Sequence, residues 1–140
     1  MAKLGPHSEI LKRYYERWHD SKGGSADEWM EVLADNVDFR SLAMGRETGA
    51  DFTVPRVSKG EVKGYFEGLA SQWTMIHYTV DQFIEQDGRV CAIGSTAWTN
   101  NKTGKTVETP KVDVWRFEDG KAVAFFEYYD TAAMFACACD

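Results

Sequence analysis

The sequence predicts an α+β fold in which helices come first and one curved antiparallel sheet packs over them. Two observations carry this. Through roughly the first seventy residues apolar side chains recur at helical spacing, and two Ser-x-x-Glu segments have the form of helix starts. From Trp73 onward the period drops to two, in four long runs parted by the turn signals QDG, NKTG and EDG.

Taken in order, Ser8 is placed to cap a first helix reaching about Lys22, with Ile10, Leu11, Tyr14, Tyr15 and Trp18 on one stripe. Gly23-Gly24 stops it. Ser25 and Glu28 have the form of a capping box opening a second helix, which carries Trp29, Val32 and Leu33 inward before Asp35-Asn36. A short strand is expected near Val37–Ala43, then an irregular stretch, Met44–Val57, whose Arg46 and Arg56 could meet an anionic group or simply be solvated. Ser58 and Glu61 open a third helix to about Ser71. Its Gly60, Gly64 and Gly68 leave one face bare, suited to a close backbone or a ligand. Strands follow at about Thr74–Glu85, Arg89–Asn100, Thr106–Phe117 and Lys121–Asp130.

Composition narrows the function. At 140 residues, with 44% hydrophobic content, the chain is expected to be one domain, its ends (1–7 and 132–140) forming flexible tails. A net charge of -6 without a basic patch argues against nucleic acid. No apolar run is long enough to span a membrane, and the first residues lack a secretory pattern. Cys91, Cys137 and Cys139 give no disulfide framework, so a cytoplasmic setting is expected; two thiols at Cys137 and Cys139 make a poor zinc site, and no metal is expected.

The segment Lys111–Thr131, KVDVWRFEDGKAVAFFEYYDT, places acids among aromatics in what should be a half-buried hairpin. Buried acids are costly unless they are paired or serve chemistry. A three-residue EDG loop pairs Asp113 with Phe125, and puts Asp113, Trp115, Phe117, Val123, Phe125, Glu127 and Tyr129 on one face. A two-residue Asp-Gly turn would instead leave Glu127 on the opposite side. Both faces are apolar enough that a homodimer through the outer sheet face is expected.

From Ile10 to Thr131 the chain resembles the SnoaL-like and ketosteroid isomerase-like members of the nuclear transport factor two superfamily, through ILKRYYERWHD, VLADNVDFRS and VDVWRFEDGKAVAFFEYYDT. The resemblance implies a single SnoaL-like domain with a cone-shaped, cystatin-like roll, its sheet wrapped around three N-terminal helices and enclosing an apolar pocket. It implies action without metal or organic cofactor, and frequent pairing into dimers. Laid on this sequence, it puts an oxyanion-donating tyrosine at Tyr14 and a protonated aspartate at Asp113. The position of the family's general base falls on Ser41, with Asp38 three residues earlier.

A neutral carboxylic acid and a phenol aimed into a dry chamber can stabilise an enolate, and Glu127 would be the ionised acid/base partner. Substrate-wall residues are expected at Trp18, Phe66, His77, Trp115, Phe125 and Tyr129, the facing of the His77 strand being open. The expected function is proton transfer on a small hydrophobic molecule, as an isomerase, cyclase or hydratase/dehydratase. A non-catalytic small-molecule-binding domain and an assembly adaptor are the alternatives. Duller readings stand beside each residue: Tyr14 as core, Asp113 paired with Arg116, Lys111 or Lys121, and Glu127 as a hydrogen-bond acceptor.

Overall fold

The structure, a computed structural model, describes residues 3–44 and 50–139. Helix α1 (Pro6–Asp20) and helix α2 (Ala26–Val32) lead into strand β1 (Leu33–Ser41). A 3-10 turn (Asp51–Thr53) and β2 (Arg56–Ser58) precede α3 (Lys59–Gln72). Strands β3 (Trp73–Gln86), β4 (Arg89–Asn100), β5 (Thr106–Glu118) and β6 (Lys121–Tyr129) and a last helix, α4 (Thr131–Ala138), complete the chain. The sheet runs β2-β1-β6-β5-β4-β3, and the core lies between it and α1, α2 and α3. It is mixed rather than wholly antiparallel, because β1 lies parallel to β6, with Phe39 opposite Phe125 and Ser41 opposite Glu127.

Helix α1 is phased by Leu11, Tyr15 and Trp18, all buried. Its start differs from expectation: Gly5 is the capping residue and Ser8 lies inside the first turn. The cap comes from another element. Glu85 of β3 accepts from the Ser8 backbone N–H at 2.8 Å and from the Ser8 hydroxyl at 2.7 Å, with His7 Nδ1 at 3.1 Å. Burial opposes ionisation of Glu85, but the Ser8 and His7 hydrogen bonds outweigh it and hold its pKa below the ordinary value. That contribution is present above the normal glutamate range and is lost as pH falls through the lowered value. Glu85→Gln is therefore expected to cost about 1–2 kcal/mol at neutral pH. Urea unfolding at several pH values should show the gap between variant and wild type closing on acidification; a constant gap would separate the cap from the charge.

The Ser25–Glu28 box does not form: Ser25 makes no side-chain cap, and Glu28 pairs with Arg17 at 2.6 Å. Ser58 does cap α3, accepting from the Glu61 N–H at 3.2 Å. The bare face of α3 takes chain rather than ligand. A Cβ on Gly64 would stand 3.0 Å from Arg56 Nη1, and one on Gly68 would stand 3.2 Å from Asp51 Cβ. Arg56 is committed to the carbonyls of Val54 and Asp51, so it does not wait for an anion; Arg46 lies outside the described residues.

Both DG turns are two-residue turns. Asp87 and Gly88, like Asp119 and Gly120, all have left-handed φ, the signature of the type I′ hairpin. This corrects the three-residue loops. Yet the expected common face of Asp113 and Glu127 survives, because a bulge between Arg116 and Phe117 shifts the register. Ala122 replaces Val123 on the inner side, and Asp113 lies opposite Glu127 rather than Phe125. A bulge between Met75 and His77 likewise turns Met75 and Tyr78 inward while His77 faces out. Beside a second irregularity, between Val80 and Gln82, Gly94 admits β3 closely, since a Cβ would fall 1.8 Å from the Thr79 carbonyl oxygen.

Residues 132–138 are not a frayed tail. Asp130 caps α4 through the Ala133 N–H at 3.0 Å, and Met134 and Cys137 are buried. Thr103 and Lys105 hold its C-terminal carbonyls at 2.7 Å (Cys137) and 2.6 Å (Cys139).

Candidate active site

Helices α1, α2 and α3 close over the concave face of the sheet around a cavity of about 80 Å³. Its walls are mostly rings, among them Trp18, Phe66, Trp115, Phe125 and Tyr129. Trp29 stacks on Trp115 at 5.5 Å, and Phe39 on Phe125 at 4.3 Å. His77 is not a wall residue: it sits on the outer face, 3.0 Å from Glu108.

At one end of this chamber lies a charged cluster sealed from water. Asp113 is 1% exposed, Glu127 2% and Lys111 9%. Tyr15 donates to Asp113 Oδ2 at 2.6 Å and Tyr78 donates to the same oxygen at 2.5 Å, while Lys111 Nζ donates to Oδ1. Lys111 also reaches the Tyr78 hydroxyl at 2.6 Å and Glu127 Oε1 at 3.0 Å. Trp115 Nε1 donates to the Tyr15 hydroxyl at 2.9 Å, and Tyr65 donates to Glu127 at 3.2 Å. Ser41 shares a 2.5 Å hydrogen bond with the Tyr129 hydroxyl.

Backbone register explains the assembly. Asp113 and Glu127 are direct cross-strand partners, a like-charge pairing that is unfavourable by itself. Lys111 stands two residues before Asp113 on the same face, opposite Tyr129, and its ammonium bridges both acids. Burial works against the charge on Lys111, but the two carboxylates outweigh it and hold its pKa above the ordinary value. Desolvation raises the Glu127 pKa; Lys111 opposes that rise and Asp113 adds to it. Tyr15, Tyr65 and Tyr78 are all pushed well up, chiefly by burial and then by the neighbouring carboxylates, so they stand as proton-bearing donors.

Tyr14 does not enter the cavity; its hydroxyl bonds Glu31 at 3.1 Å in an exposed position. The phenol beside Asp113 belongs to Tyr15. Helical phase is the reason: Tyr15 follows Leu11 by four residues and precedes Trp18 by three, while Tyr14 lies off that line. Ser41 is buried within reach of Glu127, and Asp38 is exposed and paired with Arg40 at 2.6 Å. Sequence reading missed Tyr78, Tyr65 and Lys111 as site residues. In the sequence Lys111 stands out only as a rim partner of Asp113, and the inward phase of Tyr78 depends on a bulge with no local signal.

The family of SnoaL-like domains matches residues 11–125. No curated protein matches the chain. Among solved structures, an NTF2-like protein of unknown function from Burkholderia pseudomallei is 22% identical, with a TM-score of 0.80, covering 98% of this chain and 100% of its own. TerC, co-crystallised with polyporic acid, is 20% identical, with a TM-score of 0.76, covering 96% of this chain and 98% of its own. A protein described as a SnoaL-like polyketide cyclase from Mesorhizobium loti is 17% identical, with a TM-score of 0.70, covering 89% of this chain and 100% of its own. At these identities the likeness establishes the cone-shaped α+β fold.

Proposed function

The chain belongs to the SnoaL-like domain family, and from that membership we propose that it is a cofactor-independent enzyme moving a proton on a small, largely apolar carbonyl compound. The observation that carries this reading is the convergence of Tyr15, Tyr78 and Lys111 on the Asp113 carboxyl at the end of an aromatic chamber. All three neighbours can donate, which suits a carboxylate, and with one ammonium between two acids a neutral cluster leaves the remaining proton on Glu127. The roles expected from sequence are thereby exchanged: Asp113 is the base and Glu127 the proton-holding acid behind Lys111.

In this mechanism the substrate carbonyl oxygen takes a hydrogen bond from Tyr15 or Tyr78. The phenol that turns to the substrate leaves Asp113 Oδ2 with one donor fewer and free to accept a proton. Asp113 removes a proton from the adjacent carbon, and the phenols and Lys111 stabilise the enolate oxygen. Return of the proton to another carbon completes an isomerisation; attack of the enolate on a second carbonyl completes a cyclisation. Isomerase- and cyclase-type relatives in fold support both outcomes as classes.

Deuterium uptake tests the reading without knowledge of the natural substrate. The protein is incubated in D2O with 2-tetralone and with 2-acetylcyclohexanone, and α-proton exchange is followed by NMR. Saturable exchange above the buffer rate is expected; exchange at the buffer rate with both ketones would overturn the proposal. A second reading has its own support. The hydrogen-bonding groups around Asp113 are already partnered to one another, which suits a domain that holds an apolar guest without turnover. Saturable binding of a ketone with no exchange would select it.

We place the protein in a reducing compartment such as the cytoplasm, in keeping with three free thiols; among the described residues no helix is long and apolar enough to cross a membrane. We also propose a homodimer through the outer sheet face, where Ile76, Ile84 and Tyr128 are exposed and the Phe126 ring lies tilted against Tyr128 at 4.7 Å. Sedimentation should give a dimer mass that Tyr128→Glu lowers to the monomer; a monomeric wild type would reject it.

A further inference from the structure

Trp73 is 4% exposed, and among the described residues its indole N–H has no acceptor. Two other indoles in the same cavity wall are partnered, Trp115 to Tyr15 at 2.9 Å and Trp98 to the Thr96 hydroxyl at 2.7 Å. Phe52 stands edge-to-face with Trp73 at 6.0 Å, and an aromatic face is a weak acceptor at best. A buried donor left unpaired is a standing cost that a ligand oxygen could remove.

The position of Trp73 says where that oxygen lies. Beyond the inner chamber is an outer groove of about 260 Å³ between the end of α1, α3 and β3. Trp18, Phe66, Leu69, Trp73 and Trp98 line both spaces, so they form the partition between them. Tyr78, which touches Asp113, follows Trp73 by five residues on the inward side of β3, about 15 Å of strand. The polar cluster and the unpartnered indole thus stand well apart along one largely apolar wall.

Resting on the proposed reaction at Asp113, we infer that the natural substrate is an elongated, mostly apolar molecule with an acceptor oxygen at the end remote from the reacting carbon, held by the Trp73 indole N–H. A guest of this kind parts the aromatic partition and occupies both spaces. Neither the inner chamber alone nor a single-ring ketone would use the indole.

Two naphthols separate this from simple apolar filling. In 6-acetyl-2-naphthol an oxygen lies at the end away from the phenol; in 6-ethyl-2-naphthol that oxygen is missing. Tryptophan fluorescence titration should show the acetyl compound binding the wild type about tenfold tighter. Trp73→Phe should erase the difference, so that the acetyl and ethyl compounds bind the variant equally. A crystal of the wild-type protein with the acetyl compound should place its oxygen about 3 Å from Trp73 Nε1, a measurement that needs no variant to fold. Equal affinities in the wild type, an unchanged ratio in the variant, no binding of either naphthol, or an acetyl oxygen away from the indole would each overturn the inference. The deuterium-exchange result is independent of all four, so loss of this proposal and loss of the reaction are distinguishable.

Discussion

Lys111→Met should destabilise the protein by about 3–5 kcal/mol at pH 7, the usual result of removing one partner of a buried ion cluster. Methionine fills a similar volume, so the loss comes from charge rather than from a void. Without the ammonium, Asp113 and Glu127 face each other across β5 and β6 with no cation bonded to either. In the wild type, the raised Lys111 pKa gives a contribution fully present below the ordinary lysine value and lost as pH rises through the folded value. Glu127 has a raised pKa too, so its contribution is complete below the normal carboxyl range and is lost as pH rises through its folded value. Removing Lys111 removes the influence that opposes this rise. The variant should therefore be most stable in acid, and its deficit should widen between the carboxyl range and neutrality. Urea midpoints from pH 4 to pH 8 check this. A deficit independent of pH would mean that Lys111 acts by packing alone.

Asp113→Asn should lower ketone α-proton exchange by about 10²–10⁴-fold, the span expected for loss of a positioned base. The fold should survive better than in Lys111→Met, because Glu127, 3.0 Å from the ammonium, can give up its proton and become the counter-charge. With Asp113 neutral, a like-charge influence that raises the Glu127 pKa disappears, so this carboxyl should titrate lower than in the wild type. Carboxyl carbon shifts in an NMR titration report it directly. Exchange at wild-type rate in a folded variant would remove Asp113 from the chemistry. A lost rate with an unmoved Glu127 would show the two acids to be uncoupled.

The hairpins were legible because their information is local. Period-two alternation and Asp-Gly turns place β3 to β6 within a residue or two of their observed ends. The face of the acids was also readable, though by a route the sequence does not show: a tighter turn and a bulge together preserve the side that a looser turn would have given. Long-range features were not readable. The parallel pairing of β1 with β6 joins segments far apart in the chain, and nothing within β1 announces it. Tyr14 and Tyr15 are adjacent tyrosines that only helix phase distinguishes, and the Leu11, Tyr15, Trp18 spacing does so once the resemblance is set aside. Lys111 reads as one of three candidate rim partners of Asp113, and nothing local tells that it is buried between two carboxylates. Helix α4, short and rich in alanine, has no amphipathic stripe to reveal what it covers.

That last helix has a practical consequence. Met134 reaches the cavity wall from a segment that starts past residue 125, where the match to the family ends. One wall residue of the chamber, Met134, thus comes from an eight-residue helix tied on through Asp130, Thr103 and Lys105, while the reacting groups sit on α1 and the sheet. Transplanting this cassette between relatives would exchange guest preference and leave the acid–lysine machinery untouched, an economical route to altered selectivity.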